Sequence, residues 1–273
     1  MRIIAEIGWN HMGDMSLAKE MIASAIESGA TTVKFQYWNP DYLIKGDWDK
    51  DGRREIYENA ALDQDKVKML YKYVSDLGGE FLISVFGTFG AKDISQLGLR
   101  NIKIPSHETT NLKLIKFCSE NFDYIFFSAG ASTQQEITEA VELLNEGNAK
   151  FELMHCVSSY PLPDDRANLK RINWLKQISP KVGLSDHTTS TIIPAFSVMQ
   201  GVSSIEKHFT TDHNLPGRDN KFALEPDEFK EMVENIFAAQ DSMVDFGIDY
   251  QDIESDTVNN YRGRWEPHDY ERT

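Results

Sequence analysis

The sequence predicts an α/β protein folded as one (β/α)8 TIM barrel, on three observations. Eight short apolar runs recur along its 273 residues, amphipathic stretches lie between them, and polar residues gather where the runs end. Eight β-then-α units of roughly thirty residues each are the arithmetic of such a barrel. An open doubly wound sheet is the structural rival, and it calls for a glycine-rich turn after the first strand. Here Gly8 and Gly13 are too far apart for that turn, and the interval is polar.

The strand candidates are residues 2–8, 32–36, 80–85, 101–106, 124–130, 151–157, 182–187 and 203–210. Apolar residues three and four apart mark helices over 17–27, 65–77, 112–121, 135–144, 192–200 and 226–244. Thr133 with Glu136 has capping-box spacing, and Gly29 and Gly201 close helices. The barrel takes residues 1–246. After Phe246 the chain turns acidic and aromatic, so 247–273 reads as a tail: a strap across the barrel, a partner arm or a disordered segment.

Apolar residues make up 41% and charged residues 26%, ordinary for a globular chain long enough to bury a sizeable core. The two cysteines, Cys118 and Cys156, form no metal or disulfide spacing and fit a reducing cytoplasm. No stretch of signal-peptide length follows the N-terminus, and no run approaches the roughly 20 apolar residues of a membrane span. The net charge of −15 excludes nucleic acid and anionic membranes as partners. It also sets a demand: an anionic substrate needs lysines concentrated at its site.

The strand ends meet that demand. Barrel strands are buried on both faces, so their polar residues need a reason, and barrel active sites lie at the C-terminal ends. Glu6 ends the first strand; Lys34 and Gln36 end the second; Lys103 and Ser106, followed by Glu108, end the fourth. Ser128 ends the fifth, Ser158 and Tyr160 follow the sixth, Ser185 and His187 end the seventh, and Glu206 and His208 end the eighth, which runs on to Asp219. Alternation puts Lys34 with Gln36, Ser185 with His187, and Glu206 with His208 on common faces. Two histidines on neighbouring strands suit a divalent metal with open positions, although each alone reads as a hydrogen-bonded core residue. The lysines and serines would bind phosphate or carboxylate, or pair with Glu6, Glu108 or Glu206, and both roles are compatible. Glu6, Glu108 and Asp219 read as acid–base groups or as ligands of sugar hydroxyls. His155 reads as a packing residue, and His11 is expected at the rim.

The stretch Ala5-Glu6-Ile7-Gly8-Trp9-Asn10-His11-Met12-Gly13 resembles the opening of the sialic acid synthases, the phosphoenolpyruvate-dependent synthases of nonulosonic acids. So do Lys34-Phe35-Gln36, Lys103-Ile104-Pro105-Ser106, Ser128-Ala129-Gly130, His155-Cys156 with Tyr160-Pro161, Gly183-Leu184-Ser185-Asp186-His187-Thr188 and Glu206-Lys207-His208-Phe209-Thr210. The resemblance spans about residues 2–243. It implies that phosphoenolpyruvate condenses with a sugar aldehyde such as N-acetylmannosamine, releasing phosphate. It implies Mn2+ at His187 and His208, with Mg2+ or Co2+ as substitutes. Lys34, Lys103, Ser106, Ser128 and Ser185 become the phosphoenolpyruvate pocket. Glu6, Gln36, Tyr160 and Asp219 become the sugar and acid–base side, Glu108 an active-site carboxylate, and Ser158 a sugar contact standing where the family has asparagine. It further implies a cytoplasmic homo-oligomer, most simply a dimer.

The departures bear on the sugar more than on the reaction. Val85 stands where the family has a hydroxyl, which Thr88 is expected to replace, and Arg218 stands where it has proline. Typical members continue into an antifreeze-like domain that lends an arginine to the partner's site. The sequence ends at Thr273 without it, so a separate capping chain is one expectation. Another is that Arg262 and Arg264 of the tail cap the barrel mouth. Two alternatives remain open: a related synthase acting on a phosphorylated aldose, and a capless sugar-binding barrel without activity.

Overall fold

The computed structural model describes residues 1–265; residues 266–273 of the tail, His268 among them, lie outside the described residues. Eight parallel strands close into a barrel in chain order: β1 (Arg2–Gly8), β2 (Thr32–Tyr37), β3 (Glu80–Val85), β4 (Asn101–Ile104), β5 (Tyr124–Ser128), β6 (Lys150–Cys156), β7 (Val182–Asp186) and β8 (Ser204–His208). β8 pairs with β1 from Arg2 opposite Ser204 to Glu6 opposite His208, which closes the ring. All eight predicted strands form. The fourth stops short of its expected end because Pro105 has no N–H to extend the ladder, and Ser106–Glu108 turns instead as a 3-10 segment.

The helices among the described residues are α1 (Met15–Glu27), α2 (Arg53–Asn59), α3 (Gln64–Asp76), α4 (Gly87–Gln96), α5 (Leu112–Asn121), α6 (Gln134–Glu146), α7 (Arg171–Ile178), α8 (Ile193–Val198) and α9 (Pro226–Ser242). None is long and apolar enough to cross a membrane. α1 buries Ala18, Met21, Ile22 and Ala25, the spacing of one helical face, and Asp14 caps it by accepting from Ser16 and Leu17 N–H. Thr133 and Glu136 form the expected capping box on α6. α2, α4 and α7 are not among the amphipathic segments read from the sequence. α2 buries no residue and so offers no apolar stripe, while α4 buries only Gly90, Ala91 and Ile94, two of them too small to mark a face.

Two apolar layers hold the fold. The larger lies between strands and helices; the smaller, Ile4, Leu82, Phe126 and Met154, fills the middle of the barrel. Residues two apart on a strand stack along the barrel axis, so each strand reads from bottom to top. β5 presents Tyr124, Phe126 and Ser128 in that order, and β6 presents Glu152, Met154 and Cys156. The apolar layer therefore separates a polar upper chamber from a polar lower one.

α9 runs back along the barrel from the C-terminal end of β8, as each helix of such a fold does. The tail starts from its far end, and its described residues are almost all exposed. Within it, Arg264 lies over the Tyr261 ring at 5.7 Å.

Candidate active site

The C-terminal ends of the strands surround a cavity of about 580 Å³. Its floor is one ionic network. Lys34 Nζ lies 2.8 Å from Glu6 and 3.5 Å from Glu206, and Lys103 Nζ lies 2.7 Å from the other Glu206 oxygen. Lys34 also donates to Ser84 Oγ at 2.8 Å, Ser185 donates to Glu206 at 3.0 Å, and Gln36 donates to Glu6 at 2.5 Å. All four charged groups are nearly fully buried. The sequence left lysine–carboxylate pairing and ligand binding open, and the pairing is present.

Burial sets the protonation of this network against its internal attractions. Glu206 loses solvation, but Lys103 and then Lys34 outweigh that loss and hold it at about 2. Burial likewise opposes the charge on Lys34, yet Glu206 and Glu6 raise its pKa above the ordinary value. Glu6 goes the other way: burial raises it, Lys34 opposes, and the Glu206 charge adds to the rise. Burial lowers Lys103 despite Glu206.

Above the floor stand the two histidines, with ring centroids 5.5 Å apart. Tyr160 packs over His187 at 4.1 Å. His187 Nδ1 is 2.8 Å from Val157 O; a proton assigned there leaves Nε2 as the nitrogen with a lone pair. Burial, then His187 and Lys34, hold His208 well below the usual imidazole range, so its ring is neutral. Its Nδ1 is buried without a hydrogen-bond partner, 3.7 Å from Asp219 Oδ2. An orphaned imidazole nitrogen beside a second histidine gives two nitrogen donors, which could hold a divalent ion only with further ligands such as water or substrate. Among the described residues, no group of three or more His, Cys, Asp or Glu is arranged to hold a metal.

Asp219 is pushed by burial up to about 7. The loop that carries it is fixed by the fully buried Asn220, which accepts from Thr210 Oγ1 at 2.6 Å and donates to Pro216 O at 2.7 Å and Asn10 O at 3.3 Å. Asn10 in turn donates to Phe209 O at 2.8 Å. The loops after β1 and β8 are thereby tied together, and Asp219 is held above the histidines.

The structure gathers Glu6, Lys34, Gln36, Lys103, Ser106, Ser128, Tyr160, Ser185, His187, His208 and Asp219 on this one cavity. Glu108 and Ser158 do not line it. Glu108 sits in the 3-10 turn after β4 and accepts from Asn111 Nδ2 at 2.6 Å; Ser158 is exposed, 3.6 Å from Cys156 Sγ. His11 is not at the rim, a correction: its buried Nδ1 accepts from Gly13 N–H at 3.0 Å. His155 packs as expected, 2.8 Å from Ala167 O. Thr88 does not line the cavity, because it belongs to α4; the β3 hydroxyl in the site is Ser84. Neither Arg262 nor Arg264 lines it, since the tail leaves from the opposite end of the barrel.

Sequence reasoning missed several wall residues. Cys156 lies 3.3 Å from Ser106 Oγ and 3.9 Å from His187; burial raises its thiol, but the ring and hydroxyls outweigh this and draw it to about 7. Strand phase offered the signal, since Cys156 is two residues beyond the inward Met154. Gly130 makes room there: a Cβ would come within 2.4 Å of Ser158 Oγ and 2.7 Å of Ser106 Oγ. Arg53 and Tyr57 come from α2, and Trp9 stacks edge-on to Tyr57 at 5.0 Å. Nothing in strand periodicity points to them.

A (β/α)8 barrel with a buried, charged cavity at the C-terminal ends of its strands has the architecture of an enzyme. Residues 21–246 match the NeuB family, and the chain belongs to it. It is 34% identical over 255 residues to the N,N'-diacetyllegionaminic acid synthase of Legionella pneumophila, covering 87% of this chain and 72% of that one. It is 33% identical over 248 residues to the pseudaminic acid synthase of Helicobacter pylori, covering 86% and 73%. A crystal structure of an N-acetylneuraminic acid synthetase from Leptospira borgpetersenii superposes with a TM-score of 0.85 at 28% identity, covering 96% of this chain and 92% of that one.

Proposed function

We propose that this chain is a synthase that condenses phosphoenolpyruvate with a sugar aldehyde of the N-acetylmannosamine kind, giving a nonulosonic acid and phosphate. The observation that carries this reading is the buried Lys34, Glu6, Glu206 and Lys103 network beneath two histidines. It concentrates lysines and serine hydroxyls, which suit an anion, inside a chain of net charge −15, and so supports the reading. The relatives are named as synthases of three different acids, so family membership supports the reaction type and leaves the sugar open.

In this reading Lys34, Lys103, Ser106, Ser128 and Ser185 hold the phosphate and carboxylate of phosphoenolpyruvate. Its methylene carbon bonds to the aldehyde carbon, and the aldehyde oxygen takes a proton. Water adds to the enol carbon, losing one proton; its second proton leaves as the C–O bond to phosphate breaks, so the carbon becomes the keto carbonyl and phosphate departs with the bonding pair. Asp219, raised to about 7, can hold the transferred proton near neutrality. Glu6, also raised, can release positive charge in the floor network by taking a proton. A divalent ion held by His187 and His208, manganese by preference over magnesium or cobalt, would polarise the aldehyde oxygen. The reading further takes the protein to be a cytoplasmic homo-oligomer; its free cysteines are in keeping with that compartment.

The test is phosphate release from phosphoenolpyruvate with manganese, offering N-acetylmannosamine and related aldoses in turn. Release should need a sugar and fall by about a hundred- to a thousandfold in His187→Ala, on the scale of removing one electrostatic stabiliser. If calorimetry detects binding of neither phosphoenolpyruvate nor manganese, the reading fails.

A further inference from the structure

The lower chamber of the barrel contains a carboxylate that the reaction does not use. Glu152 is 2% exposed, below the layer of Ile4, Leu82, Phe126 and Met154. Its oxygens accept from Tyr124 Oη at 3.1 Å and Ser204 Oγ at 2.5 Å. The buried acids among the described residues are Glu6, Glu152, Asp186 and Glu206. Three of them have a lysine nitrogen at 2.8 Å or closer: Lys34 on Glu6, Lys207 on Asp186 and Lys103 on Glu206. Glu152 has no lysine or arginine partner among the described residues. A buried carboxylate without a cation is costly, and two hydroxyl donors fill only part of its accepting capacity.

The site around it is shaped. β7 carries Gly183 opposite, where a Cβ would meet Glu152 Oε1 at 2.5 Å and Ser204 Oγ at 2.4 Å, so any other residue would displace the carboxylate. Glu152 and Tyr124 line a cavity of about 470 Å³ at the N-terminal ends of the strands, with Arg2, Thr31, Glu80, Lys181 and Ser203. Arg2 is bound to Glu80 at 2.9 Å. Lys181 Nζ lies over the Tyr124 ring at 5.6 Å and makes no ion pair among the described residues. A carboxylate without an ion pair thus meets the Tyr124 hydroxyl inside the chamber, and a lysine without one lies over the face of the same ring at its edge.

We infer that this lower cavity is a second binding site, for a small zwitterion whose ammonium group meets Glu152 and whose carboxylate meets Lys181. An α-amino acid is the simplest molecule of that class. The ammonium would supply the cation that the other buried acids obtain from lysine.

The experiment is a thermal-shift and calorimetric titration of the whole chain at constant ionic strength, with L-α-amino acids offered singly and methylammonium chloride and sodium acetate as half-ligands. At least one amino acid should raise Tm saturably, and neither half-ligand should match it. Glu152→Gln should abolish the shift, and Lys181→Ala should weaken the apparent affinity about tenfold, the value of one charge-assisted contact. Lys181 is exposed, so that variant decides the matter even if Glu152→Gln does not fold. The inference is overturned if no amino acid shifts Tm, if the shift survives intact in both variants, or if sodium or methylammonium alone reproduces it.

Discussion

The upper and lower chambers of this barrel bury carboxylates in opposite ways. In the upper one, Glu6 and Glu206 share Lys34 and Lys103, so two acids and two bases neutralise one another inside the protein. In the lower one, Glu152 has only hydroxyl donors. The difference teaches what each chamber asks of a ligand. The upper network is complete without one, and an anion entering it must be met by a change of protonation. Glu6, already raised by burial, can take that proton and leave one net positive charge. In the lower chamber the Arg2 guanidinium lies over the Phe126 ring at 5.1 Å but pairs with Glu80, and Glu152 has no ion-pair partner among the described residues.

The largest effect should come from breaking the upper pairing. Glu206→Gln leaves two buried lysines with less compensation and should cost about 5 kcal/mol of stability in a urea titration, because an uncompensated buried charge is expensive. A loss below about 1 kcal/mol would mean that the network is not buried as described. Next comes the partition itself. Phe126→Ala removes the largest member of the dividing layer and should cost about 4 kcal/mol, combining lost transfer energy with the cavity left behind.

A smaller effect should appear with pH. The folded pKa of Asp219, about 7, lies above the ordinary 3.8 of an unfolded aspartate. The folded state therefore binds more protons between those values, and this group makes the protein less stable as pH rises from about 4 to about 7. Asp219→Asn should remove that slope, which amounts to roughly 3 kcal/mol once its remaining solvent contact is allowed for. His11, lowered to about 4 by burial first and Lys66 next, works in the opposite sense between about 4 and 6.5. The slope must therefore be read as wild type minus variant. The smallest effect is expected below the partition. Glu152→Gln keeps the shape and most of the hydrogen bonding, and in metal-free buffer should change stability by no more than about 1 kcal/mol. A loss near that of Glu206→Gln would show that Glu152 has a cation the contrast denies it.

Much of the upper site was legible because strand alternation is local. Ser185 with His187, and Glu206 with His208, had to share a face once each strand was recognised, and closure of the barrel brought those faces to one cavity. Alternation also pointed at the lower chamber: Tyr124 and Glu152 share phase with Phe126 and Met154. Phase alone does not single them out, because a polar residue at the N-terminal end of a strand also reads as a solvated strand start. Arg53 and Tyr57 carried no such signal, since α2 buries no residue and lies between β2 and α3.

By itself the sequence determined the barrel, the order of its strands and which side chains share a face. These follow from apolar periods of two and of about 3.6 residues, which are properties of short segments. Only the tertiary structure decided the charge partners. Lys103 and Glu206 are 103 residues apart in sequence and meet because the ring closes with one particular stagger between strands. The same stagger leaves Glu152 beside Gly183 and Ser204 rather than beside a lysine. No local pattern encodes that outcome, because it depends on how all eight strands are offset together.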